Sequence, residues 1–280
     1  MNDEMILVTG ATGKTGRRVA RRLHEQGVPV RAASPSSPVR LDWNDRGTWD
    51  SALAGVTGVH LVVPDLGSVR AAENLTAFTE RAATAGVRRA VLVSFPPSGI
   101  PGLEPEHVAA AEQAPARAGL ETTVLRPRWF FQNFSEDFLR DTVLSGDVRL
   151  PAGDGKEAFV DADDIADVAV TALTRDGHAR RSYELSGPRL MSFAEAVADI
   201  ARATGRPIGY TPLSARDYAA EQRAHGVPGE WVRLTVGLYS HVRSGALGSV
   251  TGDVERVLGR PPRDFADYAR HAAAQGAWST

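Results

Sequence analysis

An apolar run, Met5-Ile6-Leu7-Val8-Thr9, meets three glycines at a spacing of three, Gly10, Gly13 and Gly16, and an arginine-rich amphipathic stretch follows without a break. An apolar run without polar alternation reads as a strand buried on both faces, the kind found in parallel sheets covered by helices. Between Lys14 and Gln26, Val19, Ala20 and Leu23 share one helical face, arginines take the other, and Gly27 closes the helix. Strand, glycine turn and helix in immediate succession predict the first half of a βαβ unit.

The alternation persists. Val28–Ala33, His60–Val63, Ala90–Ser94 and Thr122–Leu125 read as further strands, with helices over Ser68–Ala85 and Glu104–Ala118. Right-handed crossovers then give an α/β fold, a doubly wound parallel sheet of Rossmann type. Past about residue 150 the pattern weakens: Ala162–Leu173 and Ser192–Ala203 are helical, Tyr183–Ser186 is a strand between them, and the remainder is mainly helical. The expected organisation is a nucleotide-binding core over residues 1–150, with 151–280 completing the sheet and adding a small, mainly helical substrate-binding portion, not a cleanly separate domain.

Composition removes several classes of function. Thirty-two basic against 34 acidic side chains leave a net charge of −2, with no electrostatic reason to expect nucleic acid or an anionic membrane as partner. The absence of cysteine excludes disulfides, thiolate nucleophiles and zinc-thiolate sites, and the seven scattered histidines include no pair at metal-ligand helical spacing, so no metal is expected. The acidic start Met1-Asn2-Asp3-Glu4-Met5 does not resemble a secretory signal, and no apolar run approaches the roughly 20 residues that span a bilayer. A cytoplasmic protein with a small-molecule partner is expected, a homodimer being one open arrangement.

Gly13-Lys14-Thr15 also matches the end of a nucleoside-triphosphate P-loop, which requires Gly-x-x-x-x-Gly-Lys-Ser/Thr. Five positions before Gly13 lies Val8, so the spacing rejects that reading. A dinucleotide loop instead needs a tight turn after the strand, a glycine where backbone meets pyrophosphate, and a third glycine for close helix packing. Gly10, Gly13 and Gly16 stand at those places, and the amides of Lys14 and Thr15 open the helix toward the phosphates; the Lys14 side chain either adds charge there or is solvated.

The second strand ends Arg31-Ala32-Ala33-Ser34-Pro35, without the carboxylate that holds an NAD ribose. Ser34, Ser36 and Ser37 either hydrogen-bond a 2′-phosphate, with charge from Arg31 or Arg40, or are ordinary loop surface; the absence of an acid removes repulsion against that phosphate, so NADP(H) is favoured over NAD(H). Leu41-Asp42-Trp43 ends a third strand, where Asp42 and Trp43 either meet adenine or form a capping aspartate beside a packed indole.

These motifs, together with Val91-Leu92-Val93-Ser94, the run Thr123-Val124-Leu125-Arg126-Pro127-Arg128-Trp129-Phe130-Phe131-Gln132-Asn133-Phe134, and Phe159-Val160-Asp161-Ala162-Asp163-Asp164-Ile165-Ala166, resemble the NmrA-like branch of atypical short-chain dehydrogenases. The likeness extends through Tyr183–Pro188 to Gly259–Phe265 and is nearest the group with festuclavine and agroclavine dehydrogenases. The resemblance implies that Gly10, Thr12, Gly13, Lys14, Thr15 and Gly16 hold pyrophosphate, that Ser34 meets the adenosine ribose, and that Val63-Pro64 and Ser94-Phe95 wall the nicotinamide. Relatives commonly carry arginine after the serine matching Ser34; this chain has Pro35, which weakens a transferred NADP preference.

The resemblance does not bring a proton donor. Short-chain dehydrogenases use Tyr-x-x-x-Lys, but the only lysines are Lys14 and Lys156, neither four residues after a tyrosine. Isoflavone-reductase-like relatives place a lysine on the helix following the strand of Ser94; here that helix offers His107, a candidate acid or a helix-start histidine, and Glu112, read as a surface carboxylate. No Gly-x-Ser-x-Gly supports hydrolysis. Phe130, Phe134 and Phe138 recur every four residues, with Trp129 and Asn133 on another helical face; they form either core or a wall for a flat substrate, as Phe95 would. Val160–Asp164 reads as a helix start rather than a metal site.

The expected function is NAD(P)H-dependent reduction of a hydrophobic, aromatic or polycyclic carbonyl, quinone, enone or imine, of the kind met in secondary metabolism. A non-catalytic dinucleotide sensor and a cofactor-using cyclase or coupling enzyme are the alternatives. An iminium or quinone acceptor would need little help from an acid, which suits the missing Tyr/Lys pair.

Overall fold

The computed structural model describes residues 4–96 and 104–279. The chain runs β1 (Ile6–Thr9), α1 (Lys14–Glu25), β2 (Val30–Ser34), β3 (Val39–Arg40), α2 (Trp49–Leu53), β4 (Gly58–Leu61), α3 (Val69–Thr84), β5 (Arg89–Val93), α4 (Pro105–Arg117) and β6 (Glu121–Pro127). There follow α5 (Arg140–Ser145), β7 (Asp147–Leu150), β8 (Lys156–Glu157), α6 (Ala162–Thr174), β9 (Arg181–Leu185), β10 (Met191–Ser192), α7 (Phe193–Thr204) and β11 (Gly209–Pro212). Four helices complete the described chain: α8 (Ala215–Ala224), α9 (Gly229–Ser244), α10 (Asp253–Leu258) and α11 (Phe265–Ala274).

Seven strands form one sheet in the order β3-β2-β1-β4-β5-β6-β9, every neighbouring pair parallel. β1 pairs with β2 on one side, Ile6 opposite Val30, and with β4 on the other, Ile6 opposite Gly58. The winding reverses between β1 and β4, and a doubly wound sheet binds ligands in the crevice outside the strand ends at that reversal. All four residues of β1 and of β4 are buried, which explains the unbroken apolar reading of β1; β4 carries His60 inward with its apolar residues. Helices cover both faces. Leu41, Trp49, Leu53 and Phe78 pack with Leu7, Val59 and Leu92 on one face; Val19, Leu23, Ile165 and Ala169 pack with Ile6, Val8 and Leu125 on the other.

Residues past 150 both finish the sheet, through β9 on β6, and enclose an aromatic core in which Phe159 stacks edge-on to Phe193 at 5.0 Å and Phe134 to Phe265 at 5.3 Å. Two small sheets accompany this portion, β8 with β10 inside it and β11 paired with β7 just before it. Asp161 caps α6 by accepting the Asp163 N–H at 2.8 Å, and Ser192 and Glu195 form a capping box on α7. No described helix is long and apolar enough to cross a membrane.

Three sequence readings shift. The fourth strand ends at Leu61 rather than Val63, because the Val62 N–H donates to the Thr9 hydroxyl at 2.8 Å and leaves the strand ladder. β3 is only Val39–Arg40, so Leu41-Asp42-Trp43 lies beyond it. The aromatic run is not an α-helix: Phe130 is extended and Phe131–Phe134 form a 3-10 turn, so Phe130, Phe134 and Phe138 share no helical face.

Candidate active site

The glycine turn is shaped by contacts that only glycine permits at two positions. Gly10 has a φ of +59°, and its carbonyl accepts the Gly13 N–H at 2.9 Å, closing the turn. A Cβ on Gly16 would lie 2.2 Å from the Gly10 carbonyl oxygen, so α1 can approach the turn this closely only with glycine there. Gly13 caps α1 without any side-chain bond, and among the described residues the N–H groups of Lys14, Thr15 and Gly16 have no acceptor. A helix start with open amides and a bare backbone cradle fits a pyrophosphate. Thr12 is exposed beside it, while the Thr15 side chain is buried.

The other expected cofactor residues are placed unevenly. Ser34 is buried, its hydroxyl 2.6 Å from that of Ser37 and accepting the Ser36 N–H at 3.3 Å, so it builds the turn while Ser36 is exposed. Asp42 accepts the Asn44 N–H at 2.9 Å, and Trp43 packs on Phe78 with its indole N–H donating to the Val62 carbonyl at 3.1 Å. The indole is thus packed, and Asp42 closes a local turn, the 3-10 start behind it being capped by Asp45. Val63 points into the core against α3, whereas its neighbour Val62 faces Gly10, whose Cβ position lies 3.2 Å from the valine; Pro64 is exposed. Alternation along the chain exchanges the two valines.

Ser94 follows β5, is buried, and donates to Glu112 Oε1 at 2.7 Å. Glu112 is not a surface carboxylate: it also accepts Arg126 Nε at 2.9 Å and Nη2 at 2.6 Å, and this hydrogen bonding raises the guanidinium above its ordinary pKa. The Arg126–Glu112 pair thus ties β6 to α4 and sets the direction of the Ser94 hydroxyl.

A cleft of about 380 Å³ opens beside these groups. Lys14, Ser94, Phe95 and Pro96 form one wall, Trp129, Phe130, Asn133 and Phe138 a second, and Leu238, Val242 and Leu247 a third. The Lys14 amine donates to Asn133 Oδ1 at 2.7 Å, pairs with Asp137, and lies 5.6 Å from the Phe130 ring centroid. Trp129 is held edge-on against Phe193 at 5.3 Å and Phe138 at 6.2 Å. Phe134 does not join this wall; it is 0 % exposed in the aromatic core, whereas Phe138 is 50 % exposed at the cleft. His107 is half-exposed on the first turn of α4 and is not among the described residues that line the cleft.

The floor of the cleft, formed by Arg128, Glu157 and His241, is polar and was not singled out from the sequence. Burial pushes the Glu157 carboxyl up from 4.5 to about 7 against the opposing pull of Arg128, and burial, then Arg128, lowers His241. Glu157 sits in Gly155-Lys156-Glu157-Ala158, which reads as ordinary polar chain; only the fold carries it inward. A larger groove, about 840 Å³, lies along the outer side of α1, but its charged lining is mutually satisfied, Arg22 with Asp163 at 2.5 Å and Arg18 with Glu136 at 2.7 Å. Among the described residues no cluster could hold a metal ion.

A doubly wound sheet with an anion cradle at its reversal and an apolar cleft alongside defines a dinucleotide-binding protein of the oxidoreductase kind. The sequence profile of the NAD(P)H-binding family matches residues 10–176. The chain belongs to this NmrA-like family of NAD(P)H-dependent oxidoreductases. It is 34 % identical to an NAD(P)H azoreductase of Xenophilus azovorans, over 98 % of this chain and 100 % of the relative. It is 32 % identical to an agroclavine dehydrogenase of Claviceps fusiformis, over 94 % and 95 %. Among solved structures, an NADPH-dependent quinone oxidoreductase of Escherichia coli complexed with NADPH superposes with a TM-score of 0.80, 25 % identical over 95 % of this chain and 99 % of that one.

Proposed function

We propose that the protein reduces a flat, hydrophobic carbonyl, quinone, enone or imine with NADPH as the preferred donor. The observation that carries the reading is the position of the cleft: aromatic walls from Trp129, Phe130 and Phe138 face Ser94 and Phe95 at the ends of the nucleotide-binding strands. The azo, quinone and clavine chemistry named for the similar proteins supports an unsaturated, largely aromatic acceptor.

The open amides at the start of α1 would hold pyrophosphate, and the exposed Ser36 hydroxyl with the Arg40 guanidinium would meet the ribose. No carboxylate ends β2, so that strand does not repel a 2′-phosphate, which favours NADPH; Arg40 is shared with Asp42 at 3.5 Å and Asp45 at 3.6 Å. When bound, reduced nicotinamide supplies a hydride. The protein's own work is to orient the acceptor on Trp129 and Phe130 and to keep water from it.

Mixing the protein with NADPH or NADH and a panel of quinones, imines, enones and aromatic carbonyls tests the reading through the absorbance of reduced nicotinamide. Turnover with NADPH ahead of NADH is expected. Tight binding of both nucleotides without turnover of any acceptor would overturn it in favour of a sensor.

A further inference from the structure

An apolar acceptor alone does not account for the floor of the cleft. Glu157, on β8, is 1 % exposed, and its carboxylate oxygen accepts a hydrogen bond from the Ala158 N–H at 3.0 Å. Arg128, 5 % exposed, gives its Nη2 to Glu184 at 3.1 Å and Ser249 at 3.3 Å, while its Nε and Nη1 have no partner among the described residues. The Trp129 indole N–H and His241 Nε2 are also buried and unpartnered. Buried polar atoms are rarely left so, and this many around one cleft point to an acceptor that brings its own polar atom.

We infer that Glu157 is the proton donor of the reduction and that Arg128 holds the acceptor's oxygen beside it; the inference rests on the reductase reading above. In the step, the carbonyl carbon takes the hydride and its two electrons, the C=O π bond breaks, and the pair moves to oxygen. Glu157 gives its proton to that oxygen and becomes a carboxylate, leaving an alcohol and oxidised nicotinamide. Solvent returns the proton once the product leaves.

The surroundings select this residue over the others. An ordinary carboxyl is ionised at neutral pH and has no proton to give, but the burial that pushes Glu157 to about 7 leaves much of it protonated there. His241 is driven the other way, toward the neutral ring, by burial and by the same guanidinium. Lys14 is engaged by Asn133 and Asp137. Other charges near β8 are Glu184, bound to Arg128, the exposed Lys156–Glu195 pair at 3.9 Å, Asp154 in the turn before the strand, and Arg243 of α9, which packs on Gly153 and Gly155; Met191, opposite Glu157 on β10, is uncharged.

The test compares two aromatic acceptors, isatin, whose carbonyl oxygen must gain a proton, and crystal violet, a cationic dye that takes a hydride and no proton. E157Q keeps the shape of the side chain and an oxygen for the Ala158 N–H. With saturating NADPH and acceptor it is expected to lower kcat on isatin by about a hundredfold or more, to abolish the fall in rate as pH rises through about 7, and to lower kcat on crystal violet far less. E157D should restore part of the isatin rate. Infrared difference spectra give a readout independent of turnover: a carboxyl C=O band should titrate near pH 7 in the wild type and be missing in E157Q.

Equal losses on both acceptors, an unchanged isatin rate, a wild type that reduces only the dye, or no carboxyl titrating near neutrality would each overturn the role of Glu157 while leaving the reductase reading intact. A wild type that binds NADPH and reduces neither acceptor would overturn the reductase reading, and this inference with it.

Discussion

The Lys14 ammonium, from the first turn of α1, donates to Asn133 Oδ1 on the aromatic segment at 2.7 Å, so one side chain joins the helix start after the glycine turn to the aromatic wall of the cleft. The contact is part-buried, and a hydrogen bond to a charged group in such a place is worth about 1 kcal/mol after solvent screening. Lys14→Met and Asn133→Ala should therefore couple. Each raises KM for the acceptor several-fold, and the double variant is less impaired than the two effects added. A double-mutant cycle on KM checks this; strict additivity would mean that the two walls act separately.

Gly16 allows a sharper prediction about the cradle. A Cβ there would lie 2.2 Å from the Gly10 carbonyl oxygen and 2.7 Å from its carbon, both backbone atoms that no rotamer change can move. Gly16→Ala must push α1 off the turn. Nucleotide binding, followed by quenching of protein fluorescence, should fall below detection, with a stability loss of about 1–3 kcal/mol. Gly13→Ala is milder, because its Cβ would sit 3.2 Å from the same oxygen. Equal affinity in Gly16→Ala would remove the cradle from the site.

The nucleotide-binding half was legible because its determinants are local. A buried strand, a glycine turn and an amphipathic helix each write a period into neighbouring residues, and β1, α1, α3 and α4 fall within two residues of their sequence readings. The cleft was legible only in part. Phe134 and Phe130 look alike at helical spacing, and the 3-10 turn that sends one into the core leaves no periodic trace. Glu112 reads as surface because Arg126 and Ser94, its partners, lie 14 and 18 residues away. Glu157 reads as loop because β8 is two residues long and is fixed by β10, far along the chain.

Glu112 also makes a stability prediction. It satisfies two Arg126 nitrogens and the Ser94 hydroxyl from a position that is mostly buried, with side-chain exposures of 12 % for Glu112 and 22 % for Arg126. Glu112→Ala leaves that guanidinium without its carboxylate and should cost about 3 kcal/mol, measured by urea unfolding. Glu112→Gln keeps the shape and should cost less. Removing both partners, as in Glu112→Ala with Arg126→Leu, should recover stability relative to Glu112→Ala alone. A double variant no better than the single would mean that the charge pair is not the source of the loss.

His60 and Glu157 should oppose each other in the dependence of stability on pH. His60, on β4, is fully buried with both ring nitrogens unpartnered among the described residues, and burial lowers it from 6.5 to about 4. A base whose pKa is lowered by folding gives stability that is present above about 6.5 and lost as pH falls toward 4, up to about 3 kcal/mol. Glu157, raised from 4.5 to about 7, has the opposite sign: its contribution is present below about 4.5 and lost as pH rises through 7, by a similar amount. The two partly cancel between pH 4.5 and 6.5 in the wild type. His60→Leu, which removes two unpaired buried nitrogens, should be more stable than the wild type at pH 5 by a margin that shrinks by pH 7.5, whereas E157Q should gain most relative to the wild type at pH 8. Urea unfolding of the three proteins from pH 4.5 to 8 measures the differences, in which the shared carboxylates cancel. Parallel curves for His60→Leu and the wild type would mean that the imidazole titrates normally in the folded protein.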